Sequence, residues 1–154
     1  MLIELPKLNP DGEQFEGEEP AELLDLQEND TIKAEGPVSY DFFVQLVGHE
    51  LVVQGRISVE LAVVCGRCAE IYSTNLVISD FLRASEIQAG QESVDLTADI
   101  REELLLHLPH YPVCASDCKG LCPQCGHNLN DGPCGCTAPR GDLRWSGLND
   151  LKLK

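Results

Sequence analysis

Residues 38–64 read VSYDFFVQLVGHELVVQGRISVELAVV, and their alternation decides the fold class. Val38, Tyr40, Phe42, Val44 and Leu46 recur at every second position, which in an extended chain puts them on one face. Gly48 and His49 mark a turn. Leu51, Val53, Ile57, Val59, Leu61 and Val63 then resume the period, with Gln54, Arg56, Ser58 and Glu60 on the opposite face. This is the pattern of an antiparallel hairpin with one dry surface and one wet one. Downstream, EIYSTNLVISDFL (70–82) is a third β-rich run that can return beside the second.

Beyond the meander, SEIQAGQESVD (85–95) reads as loop. In DLTADIREELLLHLP (95–109), Leu96, Ile100, Leu104 and Leu108 recur at i, i+4, i+8 and i+12, with Leu105 beside them. That spacing predicts an amphipathic helix, opened by Asp95 or Thr97 as N-cap, stopped by Pro109 and laid over the dry face of the sheet. Before the hairpin, MLIELPKL can add one strand. Residues 9–37 are acidic and punctuated by Gly and Pro, and read as mostly loop with a turn of helix or an edge strand. At the other end, GDLRWSGLNDLKLK predicts a short helix capped by Asp142 and presenting Trp145, Leu148 and Leu151. The expectation is an α+β fold: an antiparallel β-meander covered by one amphipathic helix, with a C-terminal cysteine-rich zinc-binding module and a short terminal helix. Residues 1–112 would form the β-rich domain and 113–154 the cysteine-rich module.

No apolar run approaches the ~20 residues needed to cross a bilayer, and the N-terminal segment lacks the basic-then-apolar form of a secretory signal. The chain is therefore expected in the cytoplasm, where paired cysteines point to metal rather than to disulfides. The net charge of −15 is unevenly spread. Residues 1–36 carry eleven acids against two bases, 37–112 eleven against four, and 113–154 four against five. Such a chain repels phosphate over most of its length and attracts basic protein surfaces.

All eight cysteines fall in close pairs, at 65/68, 114/118, 122/125 and 134/136. Cys122-Pro123-Gln124-Cys125-Gly126 has the form of a metal knuckle, in which Gly permits the positive φ of the turn. Cys134 and Cys136 follow after NLNDGP, a segment with the residues of a tight reversal. Cys122, Cys125, Cys134 and Cys136 thus form the first expected zinc site. Cys65 and Cys68 at the end of a strand, with Cys114 and Cys118 beyond the helix, form the second. Two zinc ions are favoured over one, and Cys114, Cys118, Cys122 and Cys125 remain an alternative set for a single ion. His110 and His127 read as exposed loop residues, His107 as helix surface and His49 as turn. No Ser/His/Asp set or phosphate-cradling glycine loop occurs, and four thiolates leave zinc no open position, so the pattern points away from an enzyme.

Taken together, VELAVVCGRCAE, DLTADIREELLLHLPHYPVC, DCKGLCPQCGHNLNDGPCGC and DLRWSGLNDLKLK resemble, in this order, the YceD family of large ribosomal RNA subunit accumulation proteins. The resemblance covers most of residues 38–154. The family's usual Asp-Pro-Arg-Trp is here Asp142-Leu143-Arg144-Trp145. The resemblance implies a role in producing or stabilising the large-subunit rRNA, with no known catalytic reaction. The leading reading is a non-enzymatic factor supporting 23S rRNA processing or accumulation through a large-subunit ribosomal protein, a processing factor or the precursor rRNA itself. On that reading the acidic N-terminal part holds a basic protein. Lys119, Arg140, Arg144, Lys152 and Lys154 make a limited RNA contact, with Trp145 either stacking on a base or anchoring the terminal helix. The alternative reading is a thiol sensor in which Cys65 and Cys68 form a reversible disulfide, or a zinc donor to other proteins.

Overall fold

The computed structural model describes residues 1–26 and 31–137, so Arg140, Arg144, Trp145, Lys152, Lys154 and the expected terminal helix lie outside the described residues. The strands are β1 (Leu2–Glu4), β2 (Glu13–Glu19), β3 (Ile32–Ala34), β4 (Val38–Val47), β5 (Glu50–Val64), β6 (Ile71–Glu86) and β7 (Ser93–Asp95), followed by helix α1 (Thr97–His107). The alternation at 38–64 folds as the antiparallel pair β4–β5, with Ser39 opposite Ser58 and Val47 opposite Glu50. β6 returns along the other edge of β5 from Val64↔Ile71 to Glu50↔Glu86, and β2 pairs antiparallel with the outer edge of β4. β3 pairs with β5 at Leu61 to Val63, so β3 and β4 lie end to end along one edge of β5.

The dry face is the one the period predicts. Val38, Phe42, Val44, Leu51, Val53, Ile57, Val59, Leu61 and Val63 are all buried. Phe42 and Phe81 stack across the sheet with ring centroids 4.8 Å apart. The β6 run is longer than expected and not uniform. Gly55 pairs with Phe81 but Ile57 with Ile78, a β-bulge that sets Ser79 and Asp80 of β6 against Arg56 alone of β5. It shifts the inward phase from Tyr72, Thr74, Leu76 and Ile78 to Phe81 and Arg83, and so keeps Phe81 in the core. Gly55 is required opposite the bulge because a Cβ there would strike the Asp41 carbonyl oxygen.

Helix α1 buries Leu96, Ile100 and Leu104 in this core and leaves Leu106 65% exposed. Arg83 on β6 pairs with Asp99 at 3.3 Å and Glu103 at 3.0 Å, fixing the helix across the sheet. Leu96 itself occupies the cap position, and the Asp95 carboxylate accepts the Thr97 N–H at 3.0 Å from one residue further out. α1 does not cover the sheet alone. β1 pairs with β7, inside the segment read as loop, in the register Leu2↔Asp95 to Glu4↔Ser93. This ribbon buries Ile3 and Val94, and the 3-10 turn Ala21–Leu24 buries Leu24, all in the same cluster. Residues 9–37 therefore hold both the edge strand and the helical turn that their acidic sequence barely signals.

The helix face is testable by two neighbouring truncations. Leu104→Ala should cost about 2–5 kcal/mol in urea unfolding, because it opens a cavity under the sheet, whereas Leu106→Ala should stay within about 0.5 kcal/mol. Equal losses at the two positions would mean that the helix presents a different face.

Candidate metal centre

Two groups of four thiols converge among the described residues: Cys65, Cys68, Cys114 and Cys118, and Cys122, Cys125, Cys134 and Cys136. Within each group all four sulfurs lie within 4.8 Å of one another. In the first group Cys65 Sγ is 3.9 Å from Cys118 Sγ, and Cys68 Sγ is 3.7 Å from Cys114 Sγ. Four sulfurs placed tetrahedrally at ~2.3 Å from a metal stand about 3.8 Å apart, so the donor set fits a tetrahedral thiophilic ion such as zinc. The alternative grouping of Cys114 and Cys118 with Cys122 and Cys125 is not the one the chain forms. His110 and His127 belong to neither group.

The first group joins distant parts of the chain. β5 delivers Cys65 to the end of the sheet, and after α1 the chain comes back so that Pro112 C=O accepts the Gly66 N–H at 2.8 Å. The Cys114 N–H then reaches Cys65 Sγ at 3.4 Å. Tyr72, at the start of β6, packs against both this cluster and the main core, tying the two together. Cys65, Cys68 and Cys118 are buried, while Cys114 is exposed.

Cys65–Glu70 and Cys122–His127 are two copies of one turn. In each, the first cysteine's N–H donates 2.8 Å to the carbonyl five residues on (Glu70, His127), and its carbonyl accepts at 2.9 Å from the N–H four residues on (Ala69, Gly126). That fourth residue is left-handed in both, with φ of 60° at Ala69 and 73° at Gly126. Gly126 suits the conformation, whereas Ala69 carries its steric cost. Inward-pointing N–H groups in these turns favour thiolate. The Cys65 thiol is lowered to about 6, chiefly by the backbone N–H groups of Cys68 and Cys114. The Cys122 thiol is also lowered to about 6, by those of Gln124 and Cys125. Their neighbours respond oppositely. Cys114 is pushed up to about 12, first by its contact with Cys65, and Cys136 to about 12, first by its contact with Cys125. Each group thus resists holding more than part of its negative charge until a cation is present.

Three residues the sequence reading did not single out hold the site together. The Arg67 side chain donates to the carbonyls of Ser116 (3.3 Å) and Cys118 (3.1 Å), and its own carbonyl accepts the Leu121 N–H at 3.0 Å. Gly120 has φ +74° and packs against that Arg67 carbonyl, where a Cβ would lie at 3.0 Å. Asn130 donates to Cys118 Sγ at 3.4 Å and holds the Cys118 thiol below its ordinary value. The residues between the cysteines gave no periodic signal. Their only cue was the Asn and Gly content of a turn. Lys119 lies on this surface with its side chain exposed.

Two substitutions test the matched turns. Ala69→Gly should stabilise the folded chain by about 0.5–1 kcal/mol by relieving the left-handed alanine, and Gly126→Ala should destabilise it by a similar amount. Thermal unfolding of the metal-loaded chain reads both. A destabilised Ala69→Gly variant would show that the turn at Cys65 is not left-handed.

Sequence comparisons relate the chain to a known family. A family model described as large ribosomal RNA subunit accumulation protein YceD matches residues 53–152, a stretch that contains all eight cysteines. An uncharacterized protein of Mycobacterium leprae is 28% identical over 131 residues, covering 75% of this chain and 59% of that protein. An uncharacterized protein of Mycobacterium tuberculosis is 30% identical over 125 residues, covering 72% and 60%. The chain spans about three fifths of the length of these mycobacterial relatives. The chloroplastic large ribosomal RNA subunit accumulation protein YCED homolog 1 of Arabidopsis thaliana is 33% identical over 61 residues, 40% of this chain and 19% of that protein. No solved structure matches the chain significantly. Among the described residues no helix is long and apolar enough to cross a membrane. On the match across residues 53–152, the chain belongs to the YceD family, whose description ties it to the accumulation of large-subunit ribosomal RNA.

Proposed function

We propose that this chain is a non-enzymatic factor of large ribosomal subunit biogenesis that supports 23S rRNA accumulation by holding a basic ribosomal or processing protein. The observation that carries the reading is the family match, which runs from β5 through both cysteine groups. Two structural zinc ions would be held by Cys65, Cys68, Cys114 and Cys118, and by Cys122, Cys125, Cys134 and Cys136. Zinc supplies a tetrahedral anchor there, and four thiolates per ion leave no position for substrate or water. Its role is then to hold residues 109–137 against the sheet. In that segment Cys118, Gly120 and Cys122 are the buried residues, and they form no apolar core.

The acidic face supports a protein partner over a phosphate backbone. Glu13, Glu16 and Glu18 are exposed on β2, an edge strand paired on one side with β4 among the described residues. A basic, extended segment of another protein matches both the charge and the open edge. The sensor reading requires accessible thiolates, and Cys65 and Cys68 are 2% and 3% exposed, which supports a structural role instead.

In cells lacking the protein, 23S rRNA should fall relative to 16S, and a Cys122→Ser variant should not restore it. An unchanged ratio would reject the reading. A crosslinked pull-down split with and without RNase addresses the partner. A basic protein that survives RNase, and is lost when Glu13, Glu16 and Glu18 are all changed to Lys, is the expected result. Direct crosslinks to 23S rRNA, with no protein surviving RNase, would replace the adaptor role by RNA contact.

A further inference from the structure

The two cysteine groups share one loop, and Asn130 is where they meet. It lies between Cys125 and Cys134, so its position is set by the reversal that closes the second group, yet its side chain serves the first. Asn130 Oδ1 accepts the Lys119 N–H at 2.8 Å, a bond only the oxygen end of the amide can make. The amide is thereby oriented with Nδ2 toward Cys118 Sγ at 3.4 Å, and Nδ2 also donates to Asn128 Oδ1 at 2.9 Å. The surrounding backbone is laced in the same direction. Leu129 N–H donates to Gly120 C=O at 2.9 Å, and Leu121 N–H to the Arg67 carbonyl inside the first knuckle at 3.0 Å. A continuous set of hydrogen bonds therefore runs from the second group's loop to a sulfur of the first.

We propose that Asn130 couples the two groups, so that closing Cys122, Cys125, Cys134 and Cys136 around a metal raises the affinity of Cys65, Cys68, Cys114 and Cys118 for theirs. The inference rests on the metal reading of both groups. Four thiolates on one divalent ion keep a net charge of −2, and an N–H donor to a sulfur disperses it. Outer partners of this kind are typically worth 10–100-fold in metal affinity. The donor here is delivered by a loop between two ligands of the other ion, so its occupancy depends on that ion. Coupling of binding free energies is reciprocal, so filling the first group must favour the second by the same factor. Asn130 is a positioning residue and touches no metal.

The test is chelator competition on the full-length chain loaded with Co2+, followed by the cobalt–thiolate charge-transfer band. Removing the second site with Cys134→Ser and Cys136→Ser together leaves the first group to be read alone. Its affinity should fall by roughly tenfold, and Asn130→Ala should cause a similar loss with both groups intact. Combining the two changes should add nothing further. Additive losses, or an Asn130→Ala chain that holds both ions as the parent does, would overturn the coupling. Asn130→Asp separates the donor from the loop. It keeps the acceptor for Lys119 but sets a carboxylate against Cys118, and should weaken the first group at least as much as alanine. A parent-like Asp variant would make Asn130 a loop anchor only and sink the proposal. Absence of any charge-transfer band would instead overturn the metal reading beneath it.

Discussion

Sulfur atoms brought to 3.7–3.9 Å in a group of four cannot all be thiolate without a cation between them, and the C-terminal third of the described chain depends on that constraint. The sheet has its own apolar core, from Ile3 to Leu104, joined to the first cysteine group through Tyr72. Between Leu108 and Thr137, Tyr111 is 93% exposed, Val113 39% and Leu121 40%, while Leu129 is half-buried. The segment that carries six of the eight cysteines is therefore positioned by hydrogen bonds to Gly66, Arg67 and Cys65, and by whatever the thiols bind. A metal at the first group would clamp the return of the chain onto the end of β5. Structural zinc in small modules contributes on the order of 10–16 kcal/mol to folding, enough to replace an absent core.

How much of this was legible follows from the range of each signal. The meander was plain, because period-two alternation in β4 and β5 is a local pattern imposed by one dry face. The pairing of the cysteines into two sets of four was also legible, since the turn around Cys122 declares itself by Pro123 and Gly126 and the remaining cysteines then have one another. The turn between strands at Cys65 and Cys68 also reads as a knuckle, but Ala69, standing where Gly126 stands in its copy, hides the left-handed position. The bulge at Ser79 and Asp80 left no mark beyond the apolar spacing from Ile78 to Phe81, which reads as noise in a strand. β1 and β7 are three residues each and pair across ninety positions of chain. A strand is expected within MLIELPKL, where β1 falls, but three-residue β7 carries too few alternations to be distinguished from loop.

Arg67 and Asn130 escaped for a different reason. An arginine inside a knuckle and an asparagine in a reversal are ordinary turn residues, and their roles arise from where the other segment lands. Arg67 reaches the carbonyls of Ser116 and Cys118 only because Pro112 docks on Gly66. Each is a consequence of tertiary closure, which sequence periodicity does not encode.

That closure also bears on what the surface can bind. The near-neutral balance of residues 113–154, four acids against five bases, is counted with thiols uncharged. With zinc in both groups, each centre of four thiolates adds two negative charges, and the chain as a whole moves from −15 to about −19. Lys119 is the basic side chain of this region among the described residues, and it sits next to Cys118, where one of those centres would lie. Binding to an RNA backbone draws its free energy from phosphates neutralised by clustered cations, each releasing counterions. A surface that becomes more negative when its metals load has little of that term to use. Metal loading would therefore make the described part of this segment more negative, the direction in which the adaptor role proposed above would be helped.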